Sequence, residues 1–386
     1  MNFDNSTITT KDIPWILDYA GRTQLRSARG ELDNGGIIPY VGSVSGVGKS
    51  RGVQAYADRP SKVSKSGKYA LLNKYMIAGQ LPEDVGVCYI PNTDTKEMDS
   101  YVIGDLTGNS VEDADDYEKI IIFIDEVNSG SRECLASLQD GIEGRCFNGV
   151  PVRENVIYVL AGNPEGTGCG TEDLPANLKS RLAMYELVPD QNEFVEYLTS
   201  TGQNHSVVAY LGWKIYGRDA QASQRRGDSP IFCEFDEDAK KNPDPRGWSK
   251  FAAFLDENPE PRQEQLTGHA QLGGKTYEDF AKFKALFDRG DVVKVKDIIA
   301  DPEEVAIPSQ DFDTLYAVIT NCVNYINEEG EDLEVSDTDA ITIYLDRVAD
   351  VSEAIANYAF QQCKQRNPLF TKSEEHSKYN KKHSSY

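Results

Sequence analysis

Across 386 residues the chain carries 40 Lys and Arg against 63 Asp and Glu, a formal net charge of −23, with 39% apolar residues. That length holds one large or two moderate domains with their own cores. So acidic a surface argues against a nucleic-acid partner, short of a local basic groove, and no run approaches the roughly 20 apolar residues of a membrane span, so no membrane insertion is expected.

The first twelve residues include Asp4 and Asp12 and lack an apolar core of signal-peptide length, which points to a cytoplasmic protein, with bacterial, archaeal and phage origins not distinguished. Seven cysteines without a CxxC pair read as reduced, structural thiols. His205, His269, His376 and His383 are too dispersed for a zinc site, so no structural metal is expected.

Residues 1–36 start irregular, and 13–32 suit one or two short helices before the turn Asn34-Gly35-Gly36. Residues 37–41 form the first strand, and an Ala-rich charged helix runs from 49 to about 58, stopping near Pro60. A polar loop at 61–68 leads to a second strand at 85–90 and the loop Pro91-Asn92-Thr93. Beyond the segment 98–108 and an acidic connector at 111–118, Ile120-Ile121-Ile122-Phe123-Ile124 is apolar without alternation. That is the signature of a strand covered on both faces in a parallel sheet. A helix at 132–140, a turn-rich excursion at 141–151, a buried strand at 156–160, a short helical piece flanked by Leu178 and Leu182, and a fifth strand at 183–188 complete the first half. Five strands with helical spacers predict an α/β fold, a parallel five-stranded sheet with helices on both faces.

After Pro189 the pattern is helical at 194–198 and 207–216, with an arginine-bearing loop at 218–229. Asp244-Pro245 opens another helix, a cap followed by proline in the first turn. Further amphipathic helices are expected at 277–287, 312–326 and 341–358. The expected domains are an N-terminal helical segment (1–36), an α/β core (37–189), an all-helical domain (190–365) and a disordered Lys-, Ser- and His-rich tail (366–386). Trp213 and Trp248 read as core aromatics of the helical domain.

The functional signal begins at the end of the first strand, in Gly42-Ser43-Val44-Ser45-Gly46-Val47-Gly48-Lys49-Ser50. Strand, glycine-rich turn and helix is the setting of a phosphate-binding loop. Gly46 and Gly48 permit backbone angles that turn N–H groups inward. Lys49 brings a full charge to the outer phosphates, and the Ser50 hydroxyl can hold Mg²⁺. A lysine opening a helix otherwise sits against the positive end of the dipole, a conflict that a bound phosphate removes. The motif G-x-x-x-x-G-K-[ST] wants glycine at position 43, and this chain has Ser43 with Gly42 beside it. The second element is Asp125-Glu126 at the tip of the buried strand: Asp125 to reach Mg²⁺ through its water shell, Glu126 to align the attacking water. A carboxylate pair for sugar hydrolysis would leave the glycine-lysine loop unexplained. Cys146 and Cys169 lie near these loops without a histidine–acid set, so a thiol nucleophile is not expected.

On these residues the chain resembles the AAA+ superfamily of P-loop ATPases, and within it the MoxR-like branch, over about residues 35 to 350. The loop matches in Gly46, Gly48, Lys49 and Ser50, and Ile124-Asp125-Glu126-Val127-Asn128 is similar to the family's Walker B segment. Ala161-Gly162-Asn163-Pro164 resembles sensor 1, which implies that Asn163 bonds the attacking water or the γ-phosphate. The stretch 174–182 resembles the segment bearing the arginine finger. Arg181 would then reach a neighbouring subunit's γ-phosphate, with Leu182 where the family has an aromatic. Pro245-Arg246-Gly247-Trp248 resembles the sensor-2 turn, with Arg246 closing a helical lid over the phosphates. The role of Asp105, in a loop resembling one after the family's second strand, stays open.

The resemblance implies ATP and Mg²⁺ as ligands and a homo-oligomer, a ring of six. It also implies a protein client remodelled through hydrolysis, and a von Willebrand A domain protein is a common partner of such ATPases. Two other readings stand beside it. One is an AAA+ motor on nucleic acid, such as a viral or repair ATPase, which the acidic composition disfavours. The other is a nucleotide-gated scaffold without hydrolysis, for which Ser43 is the single support.

Overall fold

The computed structural model describes residues 6–32, 36–82, 85, 87–102, 106–109, 111–147, 149–163, 173–216, 241–287, 293–309, 312–329 and 333–383. The chain divides into two compact units, Met1–Asp190 and Gln191–Tyr386.

The first unit runs through β1 (Thr7–Ile8), α1 (Ile13–Ala28), β2 (Ile38–Gly42), α2 (Lys49–Ala57) and β3 (Ala70–Met76). Next come β4 (Val87–Asn92), β5 (Glu97–Val102), β6 (Lys119–Asp125) and α3 (Arg132–Gly144). It ends with β7 (Cys146–Phe147), β8 (Val150–Pro151), β9 (Val156–Gly162), α4 (Ala176–Lys179) and β10 (Leu182–Leu187). The main sheet has six strands in the order β1-β10-β2-β9-β6-β3, every pair parallel. Both faces are covered, as the apolar run in β6 requires. Ile120, Ile122 and Ile124 pack with Leu135 and Leu138 of α3, whereas Ile121 and Phe123 pack with Ile13 and Leu17 of α1 and Val53 of α2. Each of these buried isoleucines contributes about 2 kcal/mol by removal from water.

Two details hold α1 and α2 close to the sheet. A Cβ added at Gly52 of α2 would come within 2.4 Å of Ile13 Cδ1, so the helices meet where one lacks a side chain. The buried Gln24 amide plugs the gap where β2 and β9 diverge: Nε2 donates to Ile37 O (2.8 Å) and Tyr158 O (3.0 Å), and Oε1 accepts from Tyr158 N–H (2.8 Å). It stands in for ladder bonds that the separating backbones would lose.

The sheet differs from the expectation in strand number and membership. It has six strands rather than five, because the two-residue β1 joins its edge. The strand beside β6 is β3, not the segment at 85–90. β4, which overlaps that segment, instead pairs antiparallel with β5 in a separate hairpin. β3 is an edge strand, and edges tolerate polar residues such as its Asn73 and Lys74. Those two residues break the apolar run that a search for buried strands requires. Helix α3 continues past Asp140 to Gly144 because Gly141 is a contact rather than a stop. A Cβ there would lie 2.0 Å from the Phe147 ring.

The second unit is helical: α5 (Gln191–Ser200), α6 (His205–Tyr216), α7 (Pro245–Leu255), α8 (Pro261–Leu272) and α9 (Gly274–Phe287), then α10 (Val295–Ala300), α11 (Phe312–Glu329), α12 (Val335–Ala349), α13 (Glu353–Arg366) and α14 (Glu374–His383). Trp248 is fully buried at an edge-on angle to Phe280, and Trp213 stacks on Phe283 at 5.1 Å, so both tryptophans are core aromatics. The expected disorder of 366–386 is corrected over the described residues 366–383, where α14 forms. Tyr379 stacks on Phe360 at 4.3 Å, His376 stacks on Phe370 at 4.9 Å, and Lys382 and His383 both pair with Asp346. A polar tail becomes ordered here because its few aromatic side chains have a core to enter. No helix among the described residues is long and apolar enough to cross a membrane.

Candidate functional site

Ligands of open parallel sheets bind beyond the C-terminal ends of the strands, and that is where the predicted loop, Asp125, Glu126 and Asn163 gather. β2 ends at Gly42, and Ser43 N–H extends its pairing with β9 by donating to Gly162 O at 3.2 Å. The chain then turns through Gly46 (φ 87°) and Gly48 (φ 108°), both in the left-handed region that favours glycine, and enters α2 at Lys49.

Lys49 is buried, and its ammonium is folded into its own loop. Nζ donates to Ser43 O (2.9 Å), Ser43 Oγ (3.0 Å), Val44 O (3.4 Å) and Asn163 Oδ1 (2.8 Å). All four acceptors are oxygens, the atom type that a phosphate would offer the same cation. Ser43 does not crowd the turn, since its hydroxyl donates to Val44 O at 2.9 Å while accepting from Lys49. Asn163 follows β9, the strand between β2 and β6, and therefore sits between the lysine and the carboxylates.

On the other side Ser50 Oγ donates to Asp125 Oδ2 at 3.1 Å, and Asp125 Oδ1 accepts from the Glu126 N–H at 2.9 Å. Glu126 adopts φ 56°, ψ 37°, a left-handed conformation uncommon outside glycine and concentrated at functional sites. It ends β6 sharply and starts a single turn, with its carbonyl accepting from Ser129 N–H at 2.8 Å. Ser43, Lys49, Ser50, Asp125, Glu126 and Asn163, separated by up to 120 positions in the chain, thus share one end of one sheet; Val44, Ser45 and Val47 form the loop between them.

The two arginines are placed otherwise. Arg181 precedes β10, whose Leu182 pairs with Ile38 at the start of β2. It therefore lies at the opposite end of the sheet, about 16 Å along the strand from Gly42 at ~3.3 Å per residue. Its guanidinium donates to Glu143 Oε2 (2.6 Å) and Asn177 O (2.8 Å), with the side chain 38% exposed. Arg246 belongs to the second unit and is exposed in the first turn of α7. That turn is capped by Asp244 Oδ1, which accepts Gly247 N–H at 2.7 Å. Asp105, Pro164, Cys169 and the loop 218–229 lie outside the described residues.

Among the described residues no group of three or more His, Cys, Asp and Glu is suited to hold a metal alone. Mg²⁺ beside phosphates does not call for one, because it takes one or two protein oxygens and fills its octahedron with phosphate and water. The hydroxyl of Ser50 and the carboxylate of Asp125 are hard oxygen donors side by side, a set that fits this ion.

Sequence reasoning left three buried residues here without a role. Tyr40 OH donates to Asn128 Oδ1 at 2.6 Å, and both side chains are buried. A Cβ on Gly162 would fall 2.0 Å from that same Oδ1. Burial pushes the Tyr40 hydroxyl up to about 12, so it remains a donor across the physiological range. The only hint in the sequence is a hydroxyl-bearing ring inside an apolar strand, which must find a partner when buried.

No protein-family model matches this sequence, and no curated protein matches it. Among solved structures the chain is similar to a "putative ATPase" from Cytophaga hutchinsonii, at 18% identity and a TM-score of 0.31, over 50% of this chain and 56% of that one. The chain spans little more than half the length of that protein, and so partial a likeness carries no activity across and does not single out the MoxR-like branch. What rests on the chain's own geometry is an α/β fold with a parallel sheet between helices, and a glycine-rich turn bearing Lys49 at the tip of an inner strand.

Proposed function

We propose that this protein is a Mg²⁺-dependent ATPase of the MoxR-like AAA+ type that works as a ring on a protein client. The observation that carries the reading is the convergence of Lys49, Ser50, Asp125 and Asn163, with Ser50 3.1 Å from Asp125 and Lys49 2.8 Å from Asn163. In this reading Lys49 leaves the Ser43 and Val44 carbonyls for the β- and γ-phosphates, and the loop N–H groups cradle them. Ser50 and Asp125 hold Mg²⁺, which when bound would neutralise developing charge on the transferring phosphoryl group. Glu126 orients the attacking water and accepts its proton, and Asn163 holds that water in line. The position of Arg181, at the far end of its own sheet, favours action on a neighbour's nucleotide over its own. Leaving Glu143 is then part of assembly, and turnover depends on the ring. Arg246 serves as the lid arginine.

Glu126→Gln keeps charge-independent shape while removing the base. It is expected to retain ATP within a few-fold of the wild-type affinity and to lower turnover at least 100-fold, within the range assigned to general bases. Steady-state phosphate release alongside equilibrium nucleotide binding measures both. Full activity in that variant would remove Glu126 from the mechanism. The same variant with ATP and Mg²⁺ serves as a client trap, and recovery of DNA rather than protein would favour a nucleic-acid motor.

A further inference from the structure

The three functional groups at the strand tips hang from one buried polar knot. β2, which carries the phosphate loop, contributes Tyr40 two residues before its end. Asn128 comes two residues after Glu126, in the turn at Val127–Ser129 that closes β6. Gly162 is the last residue of β9, immediately before Asn163. Tyr40 OH donates to Asn128 Oδ1 at 2.6 Å, and that oxygen sits where a side chain on Gly162 would be, 2.0 Å from the position of an added Cβ. The same added Cβ would lie 2.9 Å from the tyrosine oxygen. Tyr40 is 3% and Asn128 6% exposed, so water does not readily substitute for either partner.

The knot spans strands that are not all neighbours. β2 and β6 are separated by β9, so no backbone ladder joins the loop strand to the carboxylate strand. The Tyr40–Asn128 bond crosses over β9 at the one place where a glycine leaves room. It also anchors the turn that follows Glu126, a residue held at φ 56° and therefore dependent on its surroundings to keep its direction.

We infer that Tyr40, Asn128 and Gly162 form a brace that sets the position of Glu126 and Asn163 relative to the phosphate loop, so that Tyr40 and Asn128 are positioning residues for hydrolysis. This rests on the ATPase reading. Displacement of a reacting group by about 1 Å can cost on the order of 100-fold in rate. Loss of one bond in a packed brace should give part of that.

Tyr40→Phe removes a single oxygen and keeps the ring. The expected result is a kcat lowered about tenfold, with the KM for ATP and the equilibrium affinity for ADP within twofold of wild type. Gly162→Ala, which drives a methyl into the amide oxygen, should lower kcat further with the same split. Purified full-length proteins are assayed with ATP and Mg²⁺, and each variant's Tm is taken to normalise for folded protein. A purely structural bond would lower Tm and leave kcat per folded molecule unchanged, which overturns the inference; so would a KM rising in step with the fall in kcat. Wild-type protein that binds nucleotide without hydrolysing it overturns the ATPase reading, and the brace with it. Normal wild-type turnover matched by Tyr40→Phe overturns the brace alone.

Discussion

The two ends of the main sheet use polar residues in opposite ways. At the N-terminal ends of the strands two polar side chains, Gln24 and Arg145, are fixed to the backbone, beside the side-chain pair of Lys119 and Tyr69. Gln24 makes three bonds to Ile37 and Tyr158, and Arg145 donates to Arg153 O at 2.8 Å and Val156 O at 3.0 Å. Those partners are backbone carbonyls and, for Gln24 Oε1, the Tyr158 N–H, groups whose positions the fold sets. At the C-terminal ends the bonds join side chains to one another and to a glycine-rich turn: Lys49 to Asn163, Ser50 to Asp125, Tyr40 to Asn128. Buried polar groups stabilise where their partners are permanent and can perform chemistry where the partners are exchangeable. One end is a clamp and the other a switchboard, within a single layer of strands.

The largest test of this contrast is Lys49→Ala. Nucleotide affinity should fall more than 100-fold, while the fold survives, because the lysine's present bonds are local to its loop. Of those four bonds only the one to Asn163 reaches outside the loop, and its loss removes no ladder bond. Calorimetric titration with ATP and Mg²⁺ reads the affinity, and circular dichroism reads the fold. Tight ATP binding by the variant would end the phosphate-loop assignment.

Arg181→Ala probes the exception, a functional candidate at the clamp end. Binding of ATP should be unchanged and turnover of the assembled protein should fall by roughly 1,000-fold, the lower bound for an arginine finger. Equal turnover in the assembled variant would return Arg181 to a plain ion pair with Glu143. Gln24→Ala should have the smallest effect on activity and show itself in stability instead. Three backbone groups lose their partner, at about 2–4 kcal/mol in total. For a unit of this size that lowers Tm by roughly 5–15 °C. Nucleotide affinity should stay within twofold, and a selective loss of binding without a change in Tm would blur the division between the two ends.

Much of the layout was legible in the residues. The unbroken run Ile120 to Ile124 requires cover on both faces, and the structure supplies it with α1 and α2 on one side and α3 on the other. The loop at 42–50 and the pair Asp125-Glu126 could be read because each is local: a strand end, a turn and a helix start lie within a few positions. The edge strand β3 was not legible, since Asn73 and Lys74 interrupt its apolar pattern, and the edge β1 is too short to have one. The tail was misread because composition averages over the few residues that matter. Phe370, His376 and Tyr379 bring α14 to Phe360, and Asp346 on another helix bonds Lys382 and His383. The Tyr40–Asn128 bond joins positions 88 apart, and no periodicity reports such a pairing.

The lysine folded into its loop has a consequence for the order of events. Lys49 Nζ donates to Asn163 Oδ1 at 2.8 Å, so in the proposed ATPase an arriving triphosphate would take the cation away from the asparagine. Seating the ligand and releasing the amide for a water molecule are then one movement. On that reading, hydrolytic competence would arrive together with the fuel.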